Sequence, residues 1–145
     1  MRAVIQRVAS AAVKLNNEEI SRIGAGFLVL VAVKLGDSEK EVKKMAKKIA
    51  NLRILKDAGG KMNLSLLDKK QSILLVSQFT LYGDCERCNR PSFMQSARPE
   101  QALLLFNLLR TELKKFVTNV QIGAFGEHMQ IDLINDGPTT IVLDI

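Results

Sequence analysis

The chain holds one histidine, His128, and two cysteines, Cys85 and Cys88, among 145 residues. His128 sits in Phe125-Gly126-Glu127-His128-Met129 with no serine or cysteine partner in view, so a conventional nucleophile-histidine arrangement is excluded on inventory. No HExxH, G-x-S-x-G or P-loop spacing occurs either, which removes zinc-peptidase, α/β-hydrolase and triphosphatase readings. The cysteines are spaced C-x-x-C, the pattern of half a tetrahedral zinc site or of a minimal redox pair. With no second C-x-x-C and a loop-like setting from Asp84 to Pro91, a plain reduced pair is expected, with no metal and no cofactor. No run approaches the roughly 18 apolar residues of a membrane span, and the first residues lack a long apolar segment. A cytoplasmic protein without a membrane partner is therefore expected.

What is present points to one folded unit. Apolar residues make up 47% of the chain, enough at this length for a single core, so one domain over residues 1–145 is expected. The net charge of +6 is uneven: residues 1–70 carry 15 Lys/Arg against 7 Asp/Glu, and the rest carry 6 against 8. A folded face holding that excess would attract polyanions, since phosphate neutralisation supplies most non-specific nucleic-acid affinity.

Apolar runs at residues 3–8, 11–15, 27–33, 73–79, 129–134 and 140–145 read as strands, punctuated by Gly24-Ala25-Gly26 and Gly59-Gly60. Ser38-Glu39-Lys40-Glu41 has capping-box spacing, and Val42, Met45, Ala46, Ile49 and Ala50 then recur at helical intervals, which predicts a helix over about 38–51. Its other face displays Lys40, Lys43, Lys44, Lys47 and Lys48, a cationic stripe that could meet an RNA backbone or simply be a solvated helix face. A second helix is predicted from Pro99 to about Val117, with Ala102, Leu103, Phe106, Leu109, Leu113 and Phe116 on one stripe and Leu104, Leu105 and Leu108 off it. Two helices are too few crossovers for a doubly wound sheet. An α+β domain with a curved, barrel-like, mainly antiparallel sheet and two main helices is expected.

Two segments carry chemistry. Asn135-Asp136-Gly137-Pro138-Thr139-Thr140 lies between two alternating apolar runs, and proline there must end strand pairing or bend the chain. Gly-Pro costs little to hold cis, so this segment suits a rigid, unusual backbone, although an ordinary turn also fits. Ser77-Gln78-Phe79-Thr80-Leu81-Tyr82-Gly83-Asp84 follows the apolar run Ile73-Leu74-Leu75-Val76, so a buried strand ends in hydroxyl and amide groups.

Read together, these segments resemble the signatures of the D-aminoacyl-tRNA deacylases, an SQFTLY-type strand end and a C-terminal NxGPxT. The likeness continues in Met1-Arg2-Ala3-Val4-Ile5-Gln6-Arg7-Val8, Lys61-Met62-Asn63, Arg90-Pro91-Ser92-Phe93 and Phe125-Gly126 before Met129-Gln130. The resemblance implies a homodimer of the family fold that hydrolyses the ester joining a D-amino acid to the tRNA terminal adenosine. It assigns catalysis to Ser77, Gln78, Phe79 and Thr80, with the Phe79 amide as oxyanion donor and the RNA's own 2′-hydroxyl assisting. It assigns substrate binding to Gly137, Pro138, Asn135, Thr140 and Met129, with a Gly-cis-Pro reaching across a twofold axis to reject L side chains. Glycine would pass such a filter, so mischarged glycyl-tRNA(Ala) is a second expected substrate. Thr139 replaces the valine common in the family, and the Cys85–Cys88 stretch has fewer basic residues and less glycine than usual. DNA is not expected as a partner. The competing readings are a non-catalytic tRNA-binding or RNA-binding module that uses the lysine face and a zinc-stabilised interaction protein built on Cys85 and Cys88.

Overall fold

The computed structural model describes residues 1–145. The longest early strand, β1 (Arg2–Leu15), organises the sheet by pairing antiparallel with three others. On one edge its first half meets β3 (Gly26–Ala32) and its second half meets β2 (Glu18–Ile23); its other edge carries β8 (Gln130–Asp144). β3 then pairs in parallel with β6 (Ser72–Ser77), and β6 in parallel with β7 (Val120–Ile122). A parallel neighbour requires a crossover, and the two long helices supply it. α1 (Glu39–Ala50) lies between β3 and β6, together with the ribbon β4 (Leu55–Lys56) and β5 (Met62–Leu64) and the single turn α2 (Leu66–Lys69); α3 (Pro99–Lys114) lies between β6 and β7. The architecture is the expected α+β form, antiparallel around β1 and parallel only where helices cross over. No helix is long and apolar enough to cross a membrane.

Strand alternation builds two cores, one on each face of the sheet. Ala3, Ile5, Phe27, Val29, Val31, Ile73 and Leu75 join Val42, Met45 and Ile49 of α1 and Phe106, Leu109 and Leu113 of α3 in the larger one. Leu28, Leu74 and Val76 point the other way, into a smaller cluster with Val8, Ala11, Val13 and Ile23. Both faces of β3 and β6 are buried, which is why those strands read as continuous apolar runs. The box at the start of α1 forms as its spacing predicts: Ser38 N donates to Glu41 Oε2 at 2.9 Å and Lys40 N to Ser38 Oγ at 3.3 Å.

Several local expectations need correction. Residues 3–8 and 11–15 belong to one strand. β2 has only Ile20 and Ile23 as apolar residues, without the alternation that would announce it; it is paired through a two-residue hairpin at Asn16 and Asn17, whose φ values of 50° and 67° suit asparagine. The run at 73–79 ends as strand at Ser77, and Phe79–Tyr82 forms a 3-10 turn. On α3 the buried stripe includes Leu105, while Leu103 is 40% exposed and Phe116, 38% exposed, lies past the helix end. Residues 129–134 and 140–145 are two halves of β8, and both pair with β1.

Candidate active site

β6 ends against β3, where Gln78 N still donates to Val31 O at 2.8 Å. There the chain turns into the 3-10 segment Phe79–Tyr82, whose first internal bond runs from Leu81 N to Gln78 O at 3.1 Å. The amides of Phe79 and Thr80 come before that bond, so the turn itself gives them no acceptor. Gln78 Nε2 donates to Thr80 Oγ1, which orients the hydroxyl proton away from the amide. Phe79 is 57% exposed, meets Phe93 edge-on at 5.0 Å between ring centres, and accepts Ser96 Oγ at its carbonyl, 3.1 Å away. At the end of the turn, burial pushes the Tyr82 phenol up to about 12, with Asp37 and Asp144 adding to the effect and Arg2 opposing it.

The Gly137-Pro138 segment is a bulge in β8. Gln6 faces Thr140 and Val8 faces Asn135, so five steps along β8 cover the ground of two along β1. The Gly137–Pro138 bond is cis and Gly137 has φ +140°, a backbone that L side chains rarely adopt. Arg7 holds this bulge from β1 although only 3% exposed: Nε donates to Asp136 O at 2.9 Å and Nη1 to Ile54 O at 2.6 Å, and the Asp136 carboxylate lies 3.0 Å from Nε. A β-carbon on residue 137 would sit 2.4 Å from Thr139 Oγ1 and 2.9 Å from Arg7 Nη2. Asn135 staples the bulge, accepting from Thr139 N at 2.8 Å and donating to Thr140 Oγ1 at 3.2 Å.

A cavity of about 600 Å³ opens beside the strand end. Ser77, Gln78, Phe79 and Met129 line it, as expected from the sequence. Thr80 does not, although Gln78, which does, donates to its hydroxyl. Gly137, Pro138, Asn135 and Thr140 do not line the cavity of their own chain either, so of the expected substrate-binding residues Met129 alone joins the strand-end group there and the bulge forms a separate cluster within one chain. Most of the wall is apolar, with Phe106 and Phe125 among its members, and Glu127 and His128 join Ser77 and Gln78 as its polar groups. Met129 Sδ accepts from Ala124 N at 3.2 Å, which ties the 125–129 turn to the sheet.

Two neighbours of the expected site residues stand out only in the structure. His128 lies on the cavity wall, where Gly126, φ +79°, turns the chain before β8. Arg7 carried a signal: on β1 the residues Ala3 and Ile5 alternate inward, and Arg7 falls on the same buried register. A charge at such a position needs a buried partner. Lys40, Lys43, Lys44, Lys47 and Lys48 are all exposed on α1, where only Lys43 pairs, with Glu39 at 3.3 Å. Cys85 and Cys88 are both free and exposed, and no third histidine, cysteine or acid gathers with them.

Comparison with known proteins gives this arrangement a lineage. The family model for D-Tyr-tRNA(Tyr) deacylase matches residues 4–144. A D-aminoacyl-tRNA deacylase of Brevibacillus brevis (strain 47 / JCM 6285 / NBRC 100599) is 49% identical over 144 residues, covering 99% of both chains. Another, of Thermoanaerobacter sp. (strain X514), is 51% identical over 144 residues, covering 99% of this chain and 97% of its own. The solved structure of a c-Myc DNA unwinding element binding protein superposes with a TM-score of 0.95 at 41% identity, covering 100% of this chain and 99% of the other. A probable eukaryotic D-amino acid tRNA deacylase shares the fold, with a TM-score of 0.83 at 16% identity over 99% of this chain and 98% of its own. The chain belongs to the D-Tyr-tRNA(Tyr) deacylase family, hydrolases that act on the ester bond of D-aminoacyl-tRNA.

Proposed function

We propose that residues 1–145 form a single D-aminoacyl-tRNA deacylase domain that works as a cytoplasmic homodimer, each cavity being completed by the Gly137-Pro138 bulge of the other chain. The observation that carries this reading is the cavity beside the amides that open the Phe79–Tyr82 turn. The separation of the bulge from its own chain's cavity supports a second copy as the donor. An aminoacyl ester is already activated and has a ribose 2′-hydroxyl next to it, so a positioned water and one oxyanion donor suffice. The Phe79 amide donates to the developing oxyanion, a contact worth about 2.7–4 kcal/mol in comparable sites. Gln78, with Thr80 bonded to it, orients the substrate and the water, and the attack leaves free tRNA and the amino acid. Ser77 and Met129 shape the wall.

Selection against L substrates follows from the backbone of the bulge. Carbonyl groups at Gly137 and Pro138 bind the α-amino group and crowd the position of an L side chain. A main chain anchored by Arg7 cannot rotate away as a side chain would. Asn135 and Thr140 maintain the bulge. Glycine has no side chain to reject, so glycyl-tRNA(Ala) is a second substrate. The lysine face of α1 follows the RNA backbone.

A second reading, a nucleic-acid-binding module without catalysis, draws on the exposed lysines and on the relative named for binding a DNA element. Purified protein separates the two. Hydrolysis of D-tyrosyl-tRNA but not L-tyrosyl-tRNA, with a dimer in sedimentation, supports the deacylase; tight tRNA or duplex DNA binding without turnover supports the module.

A further inference from the structure

We propose that Cys85 and Cys88 are a thiol–disulfide modification site that adjusts how the chain engages RNA, an inference that rests on the tRNA substrate proposed above. Both thiols are exposed and neither contributes to a core. They lie in one hairpin, closed by Asp84 N donating to Ser92 O at 2.8 Å and Ser92 N to Asp84 O at 2.9 Å. Within it the chain bends at Glu86 and Arg87, between the two cysteines, and again at Asn89 and Arg90. Cys88 Sγ donates to Arg90 O at 3.1 Å, so its side chain is already engaged with the loop backbone.

The hairpin lies beside the site without lining its cavity, and is joined to it through one aromatic contact. Phe93, next to the closing residue Ser92, meets Phe79 edge-on at 5.0 Å. Arg87 and Arg90 are its exposed cations. A bond between Cys85 and Cys88 would close a small ring over Glu86 and Arg87 and restrict the directions in which Arg87 reaches a phosphate. Exposed thiols of this kind are open to exchange.

The oxidant is a low-molecular-weight disulfide, represented by oxidised glutathione. One cysteine thiolate attacks it, releasing one glutathione thiol and leaving a mixed disulfide; the second cysteine displaces the other glutathione. The protein loses two electrons and two protons, and one disulfide becomes two thiols.

The test equilibrates the full chain with oxidised and reduced glutathione at set ratios, reads the product by intact mass and peptide mapping, and measures affinity for deacylated tRNA by equilibrium binding. The expected product is a Cys85–Cys88 disulfide, two hydrogens lighter and reversed by dithiothreitol. Its tRNA affinity falls several-fold, while the double variant Cys85→Ser/Cys88→Ser, which has no thiol to exchange, keeps its affinity under the same oxidant. Single glutathione adducts without ring closure in the wild type, unchanged tRNA affinity in the disulfide form, or an equal fall in the double serine variant would overturn the proposal. Deacylated tRNA needs no turnover, so an absence of hydrolysis in the reduced protein would count against the deacylase reading alone.

Discussion

Arg7 and Asp136 lie on neighbouring strands and meet where β8 leaves its register: Arg7 Nε donates to the Asp136 carbonyl at 2.9 Å, and the Asp136 carboxylate lies 3.0 Å from the same nitrogen. The bulge that carries Gly137 and Pro138 is therefore held by a side chain of β1 that is almost wholly buried. Arg7→Met removes two hydrogen bonds from a charged donor and leaves the Ile54 and Asp136 carbonyls unpaired. It should cost about 3 kcal/mol, measured by denaturant unfolding. Arg7→Lys should recover only part of that, because an ammonium cannot reach both carbonyls with a planar fork.

Thr139 is 5% exposed and its Oγ1 has no hydrogen-bond partner. Thr139→Val keeps the shape and removes the stranded hydroxyl, so the variant should be more stable by about 1 kcal/mol, read as a rise in the denaturant midpoint. A loss of stability would mean that the hydroxyl is satisfied in the assembled protein.

The larger framework was legible because periodicity reports burial. Val42, Met45, Ala46, Ile49 and Ala50 of α1 are all inside, as their spacing predicts, and the Ser38 cap forms. The elements that escaped lack that signal. β2 is mostly exposed and β7 has three residues, so each is defined by its neighbours and not by its own pattern. The site was half legible. Ser77, Gln78 and Phe79 stood out as polar or aromatic groups ending an apolar run, but the cavity they line also needs Phe106 from α3 and His128 from a distant turn, contacts that no local spacing encodes.

The chain has one tyrosine and no tryptophan, so an absorbance titration reports Tyr82 alone. Its phenol is raised to about 12 in the folded chain against an ordinary value of about 10. The folded state thus holds this proton more tightly than the unfolded one, and the associated stability is complete below about pH 10 and lost as pH rises toward 12. Tyrosinate should appear near pH 10 in denaturant and only near pH 12 without it.

At the acid end the sign reverses. Hydrogen bonds from the Ser65 amide and hydroxyl hold the Asp68 carboxyl below its usual range, and the Ser38 hydroxyl and amide do the same for Glu41. Their contribution is present above the ordinary carboxylate range, about pH 4, and disappears as pH falls through the depressed folded values. Asp68→Asn should lower stability at neutral pH and flatten the fall in stability below about pH 4 in acid titrations.

Charge reversal at Lys44 and Lys48 should weaken tRNA binding most at low salt and reduce the slope of log affinity against log salt, while hydrolysis of a D-aminoacyl-adenosine stays unchanged. Equal loss on both substrates would assign α1 to the fold and not to RNA.

Thr80 is bonded to Gln78 and has no adjacent base, so Thr80→Ala should slow turnover only moderately, since solvent can replace a water-orienting hydroxyl. Abolished turnover in a folded variant, together with a trapped acyl adduct in the wild type, would establish a threonine nucleophile instead.

Hydrolysis rates of D-tyrosyl-tRNA and L-tyrosyl-tRNA, measured side by side for the wild type and Gly137→Ala with folding checked by circular dichroism, test the central claim most directly. A β-carbon at 137 would meet Thr139 Oγ1 at 2.4 Å in a backbone of φ +140°, so the bulge must deform. The wild type should hydrolyse the D substrate and spare the L substrate, and the folded variant should lose most D turnover. Comparable wild-type rates on both substrates, or full D turnover with unchanged selectivity in Gly137→Ala, would contradict a chiral filter built from this backbone.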